Sequence, residues 1–120
     1  MCLIVKKRKL PFKDGKRICY KILYKHDKRN IVRTVFQNFR YNIGWNKARG
    51  KLNKGNKISG GAIHVFTSKQ EAKKCVWAED TIVKVICYEK DLIATGGDLD
   101  ACFKKIFLPE KEYMRVLNGS

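Results

Sequence analysis

The sequence predicts a small α+β protein, a mainly antiparallel β-sheet packed against one main α-helix over about residues 69–77. Three observations carry this. Strand-like runs outnumber helical ones along the chain. The segment Thr67-Ser68-Lys69-Gln70-Glu71-Ala72 holds a helix start signal. Thr81 to Tyr88 is β-branched and almost continuously apolar, as a central strand should be.

Taken in order, Leu3-Ile4-Val5 is a short strand candidate ahead of the basic run Lys6-Lys7-Arg8-Lys9 and a break at Pro11. Asp14-Gly15 is a turn signal. Residues 18–25 read as a strand, with Ile18, Tyr20, Ile22 and Tyr24 on one alternating face and Lys21 and Lys25 on the other. A polar turn at 27–30 leads to a hairpin partner at 31–36, and Tyr41-Asn42-Ile43 is a further short extended piece. Residues 46–61 contain four glycines, three asparagines and five basic residues, which is loop chemistry.

Residues 62–66 form a strand that runs into the helix. Ser68 with Glu71 three positions on fits a capping box, and Ala72, Cys75 and Val76 supply the apolar stripe. After the strand at 81–88, residues 91–98 lead through a turn with a short helical segment, and 103–108 close the sheet before Pro109. Residues 1–109 are expected to form a single basic domain, with 110–120 as a weakly ordered C-terminal tail.

The charge pattern is the strongest pointer to function. The 120 residues carry a net charge of +16. Residues 1–60 hold 18 Lys and Arg against Asp14 and Asp27, whereas residues 61–120 hold nine basic and nine acidic side chains. A field of one sign on half a chain attracts polyanions. The candidate nucleic-acid-binding residues are Lys6, Lys7, Arg8 and Lys9, then Arg33 and Arg40, then Arg49, Lys51, Lys54 and Lys57 in the glycine-rich loop. Lys, Arg and exposed backbone N–H groups hold phosphates, and glycine lets the backbone approach. Tyr41 and Trp45 beside the loop are candidates for stacking on bases.

Other chemistry has less support. The five cysteines include no CxxC pair, and only His26 and His64 accompany them, so no metal site is expected. Gly50-Lys51-Leu52-Asn53-Lys54-Gly55 lacks the spacing and the terminal Gly-Lys-Ser/Thr of a nucleotide-binding loop, and no cofactor is expected. Cys2 would be a thiol nucleophile only if Met1 were removed. Glu89, Asp91, Asp98 and Asp100 match no calcium loop. His64 is a weak catalytic candidate, because no carboxylate or nucleophile accompanies it in sequence. No apolar run approaches the roughly 20 residues of a membrane-spanning helix, and a cytoplasmic location with no membrane partner is expected.

Several short motifs together resemble a known group. They are Tyr20-Lys21-Ile22-Leu23, Phe36-Gln37-Asn38-Phe39-Arg40-Tyr41-Asn42-Ile43-Gly44, Gly60-Gly61-Ala62-Ile63-His64-Val65-Phe66 and Val83-Lys84-Val85-Ile86-Cys87, with the opening Met1-Cys2-Leu3. In order they resemble a loose group of short uncharacterised proteins of gut Bacteroidales and of phage or prophage genomes. The resemblance covers roughly residues 1–108 and implies a mobile-element origin. The group has no established activity, so it implies no catalytic residues.

Three functional expectations follow. The first is a nucleic-acid-binding protein that grips DNA or RNA phosphates with little base readout. The second is an inhibitor or adaptor docking on an acidic or nucleic-acid-binding protein surface of a host complex, such as an anti-defence protein. The third is an enzyme of ADP-ribosyltransferase-like fold with His64 in its pocket, for which the sequence offers no paired acid and base.

Overall fold

Asp14 and Gly15 both adopt positive φ, 54° and 75°, and close a two-residue turn. Lys13 and Lys16 exchange backbone hydrogen bonds of 2.9 and 3.1 Å across it. This is the turn whose twist matches paired strands, and glycine takes its second position without strain. The computed structural model describes residues 3–4, 10–25, 32–34, 40–48, 57–58, 63–76, 80–95 and 100–118.

Eleven strands and two helices are described. They are β1 (Leu3–Ile4), β2 (Lys16–Lys25), β3 (Val32–Thr34), β4 (Arg40–Tyr41), β5 (Gly44–Lys47), β6 (Lys57–Ile58), β7 (Ile63–Phe66), α1 (Lys69–Lys73), β8 (Thr81–Tyr88), β9 (Leu92–Thr95), β10 (Asp100–Phe103), β11 (Lys105–Leu108) and α2 (Glu110–Leu117). A 3₁₀ turn at Glu89–Asp91 joins β8 to β9. Every described pairing is antiparallel. The α+β class with an antiparallel sheet is as the sequence predicts.

The sheet runs β5–β11–β8–β2–β7–β10–β9, with β3 and β4 branching from β2, and β1 pairs separately with β6. Its backbone is the β2–β8 ladder, in register from Lys16 opposite Tyr88 to Leu23 opposite Thr81. The path β4–β3–β2–β8–β11–β5 starts and ends on strands that Asn42 and Ile43 alone connect. The sheet therefore curls until those two ends meet at a corner.

The core lies on the concave side. Cys19 and Leu23 of β2, Val83, Val85 and Cys87 of β8, and Ile106 and Leu108 of β11 pack there with Tyr41, Phe103 and Val116. Each fully buried aliphatic side chain of this size contributes about 1.5–3 kcal/mol relative to exposure. On the opposite face, α1 seats Ala72 against Ile22 and Phe66, flanked by Tyr20 and Ile82.

Several sequence expectations need correction. The helix expected over 69–77 begins where predicted, with the Ser68 hydroxyl accepting from the Gln70 N–H at 3.2 Å, but it is helical only through Lys73. Lys74 and Cys75 donate to carbonyls three residues back, which tightens and ends the last turn. The single strand expected at 103–108 is two strands, broken where the Lys104 N–H turns to the Asp91 carbonyl at 2.8 Å. Leu92–Thr95, expected in a turn, is a strand on β10.

The largest difference is at the C-terminus. Residues 110–117, expected in a weakly ordered tail, form α2, which buries Val116 and packs Tyr113 and Leu117 on the core. The physical reason is an orphaned donor. Ile86 opposes Phe107, so β11 ends before it reaches Lys84. The Glu112 carboxylate accepts from the Lys84 backbone N–H at 2.9 Å and from Arg115 at 2.7 Å. Burial works to raise the Glu112 carboxyl, but the hydrogen bonds from Arg115 and Lys84 hold it below its ordinary value.

A second anchor sits where the far edge of β2 passes from one neighbour to another. That edge pairs β7 at Tyr20 and β3 from Leu23 onward. At the fork the Lys21 ammonium donates to the His64 carbonyl. Part of Lys21 remains exposed, yet burial draws its pKa down to about 8 from the ordinary 10.5, against a smaller opposing effect of Cys87. Below pH 8 the fold carries a charged, partly desolvated ammonium. Between pH 8 and 10.5 the folded chain has lost that proton while the unfolded chain keeps it, so stability rises with pH. Chemical denaturation across this window should show that rise, and Lys21→Met should flatten it. An unchanged slope in the variant would assign the titration to another group.

Candidate nucleic-acid interface

Strands β5, β11, β8 and β2 together carry seven Lys and Arg and no Asp or Glu. Their pairing sorts these charges onto the faces of the sheet, since directly opposed residues in antiparallel strands share a face. Trp45 opposes Phe107, Phe107 opposes Ile86, and Ile86 opposes Ile18. One row of apolar side chains thus crosses four strands on the convex side. Two residues further along, Lys47 opposes Lys105 and Tyr88 opposes Lys16, which places a second row beside the first. Lys84, opposite Tyr20, flanks the apolar row on its other side.

This end of the face is open. Trp45 and Ile18 are each 45% exposed, whereas α1 covers only the other end, over Ile22 and Phe66. The Trp45 ring leans on Tyr88 at 5.3 Å and 37° and meets Phe107 edge-on at 5.4 Å and 77°. The Lys105 ammonium lies 4.8 Å from the Trp45 ring centre, and that of Lys90 lies 6.0 Å from Tyr88. Asp14 and Glu89, both exposed, follow past the Lys16–Tyr88 pair at the hairpin end.

The corner between β4 and β5 sets the direction in which Trp45 points. Gly44 takes φ of 91° there. The buried Asn46 side chain donates to the carbonyls of Asn42 at 2.8 Å and Gly44 at 3.2 Å, and accepts from the Asn42 N–H at 2.8 Å. With Asn46 fixed inward, the alternation of β5 directs Trp45 and Lys47 outward.

The sequence-predicted residues are distributed unevenly over this geometry. Lys6, Lys7, Arg8, Lys9, Arg49, Lys51 and Lys54 lie outside the described residues, as does Cys2. Lys57 and Arg33 are described through their backbones alone: Lys57 pairs with Ile4, and Arg33 stands opposite the exposed Arg40. Tyr41 is 4% exposed and packs in the core, where burial pushes its hydroxyl pKa up, so it is not a stacking surface. Trp45 is the one of the pair that faces outward. Asn46 and Lys47, expected in a loop, belong to a strand because Asn46 pins the corner.

His64 stands opposite Cys102 in the β7–β10 pair, and its backbone carbonyl receives Lys21. Cys19, Cys87 and Cys102 are buried in the sheet. Among the described residues no group of three or more His, Cys, Asp or Glu is placed to hold a metal ion. No described helix is long and apolar enough to cross a membrane. Sequence reasoning missed Lys16, Lys47, Lys84, Lys90, Lys105, Tyr88 and Phe107. Their signal is the strand register, which no single segment displays.

The structure defines a small α+β protein with a curled antiparallel sheet and an exposed face of alternating aromatic, aliphatic and basic residues. No protein-family model matches the chain, no similar curated protein is found, and no solved structure matches it.

Asn46→Ala should leave the part-buried Asn42 N–H without its acceptor and cost about 1–3 kcal/mol. Urea denaturation would register this as a lower midpoint, and an unchanged midpoint would mean that the corner is held by other contacts.

Proposed function

We propose that this chain is a small nucleic-acid-binding protein that holds phosphate backbones with little readout of base sequence, of the phage or mobile-element type that its motifs resemble. One observation carries the reading: four adjacent strands hold seven basic and no acidic residues, and Lys16, Lys47, Lys84 and Lys105 share one open face. Surfaces kept basic only for solubility usually intersperse both signs. Lysines spaced along a sheet suit a chain of phosphates, each an acceptor for an ammonium group.

Counterion release gives the test a magnitude. If those four lysines neutralise four phosphates, log affinity for a single strand falls with log salt at a slope of roughly −0.7 per contact. Binding measured by fluorescence anisotropy should then weaken about 50-fold between 50 and 200 mM salt. Lys47→Gln with Lys105→Gln should roughly halve that slope for any base sequence. No binding at 50 mM salt, or a slope indifferent to these lysines, would overturn the reading. Partners that survive nuclease treatment would favour protein docking instead.

A further inference from the structure

We infer that the ligand of this face is a single-stranded nucleic acid, with bases stacked on Trp45 and along the row to Ile18 while its phosphates follow the row of Lys47, Lys105 and Lys16. The inference rests on the proposed function and adds the strand state and the mode of contact.

The two rows have different chemistry and a fixed separation. Trp45, Phe107, Ile86 and Ile18 offer flat or branched apolar surface, and the adjacent row offers ammonium groups around Tyr88. Residues two apart on a strand lie about 7 Å from each other. That matches the reach from a base through its sugar to the phosphate. Across the strands, three spacings of about 4.8 Å make the apolar row about 14 Å long, room for two or three splayed bases. A chain lying along the rows crosses the strands, since α1 closes the face in the other direction over Ile22 and Phe66.

A duplex uses only half of this surface. Its bases are stacked on one another and its exterior presents phosphates and groove edges, so the lysines would be satisfied and Trp45 and Ile18 would gain nothing. A single strand carries π-faces that a protein ring can cover. Lys105 over the Trp45 ring at 4.8 Å does not stand in the way. An exposed cation–π contact corresponds to about 2- to 5-fold in an equilibrium, a stacked base to about 5- to 150-fold. A base therefore displaces the ammonium, which is then free to meet the phosphate beside it.

The test compares three probes of equal length with the intact protein at 100 mM salt: a single-stranded oligothymidylate, a duplex, and an abasic oligomer with the same phosphates and no bases. The single strand should bind at least 10-fold more tightly than either of the others. Trp45→Ala should weaken single-strand binding about 5- to 150-fold with an unchanged salt slope, leave the abasic probe unaffected, and be substantially rescued by Trp45→Phe. Equal binding of all three probes overturns this inference and leaves phosphate binding standing. Failure of all three to bind at 50 mM salt overturns both. The abasic probe requires no substitution, so a poorly folded variant does not decide the outcome.

Discussion

The eight-residue register between β2 and β8 settles what every other element can do. With Ile18 opposite Ile86 and Cys19 opposite Val85, the even positions of β2 share the convex face and the odd positions share the core. A slip of one residue would send Cys19 and Leu23 outward and bring Lys16 and Ile18 in, exchanging the core for the open face. The hairpin turn at Asp14-Gly15 opposes such a slip from one end. There the Glu89 N–H donates to the Gly15 carbonyl at 2.8 Å, tying the turn to the end of β8.

Around that ladder, charged side chains complete pairings that the strands leave unfinished. Lys21 reaches the His64 carbonyl where β7 gives way to β3, and Glu112 takes the Lys84 N–H where β11 has ended. Unpaired backbone groups in a partly buried sheet are costly, so each of these contacts stabilises the fold through a local deficit. One consequence concerns the charge of the molecule. Lys21 is counted in the +16, yet it serves the sheet rather than the surface, so basic residues cannot be read as binding residues from their number alone.

The local signals were legible: the turn at Asp14-Gly15, the Ser68 start of α1 and the β-branched run of β8 all depend on residues close in sequence. The candidate interface was legible only in part, and Tyr41 and Trp45 show why. They lie four residues apart, and an uninterrupted strand would present them on one face. The corner at Asn42–Gly44 separates them, so Tyr41 joins the core and Trp45 the exterior. Nothing near them in sequence announces that corner, since its fastener, Asn46, looks like ordinary loop composition. Helix α2 was hidden for a related reason. Its inward face includes Glu112, which reads as solvent-exposed until the N–H of Lys84, 28 residues earlier, is seen to need an acceptor.

Among the described residues, both halves of the chain contribute lysines to the convex face. Residues 61–120 are neutral as a count, yet they send Lys84 and Lys105 to the convex face, with Lys90 and Glu89 near its rim, while Asp91 is buried and the two helices mix both signs. The ladder then sets β8 against the basic β2, and β11 against β5 with Trp45 and Lys47. Basic residues and an aromatic platform thus coincide on one face, each drawn from both halves of the chain. An appended basic tail would supply the same net charge without such coincidence. On the proposed function, it is the shape of this face, with its apolar and basic rows side by side, that would let one nucleotide be both stacked and held by its phosphate.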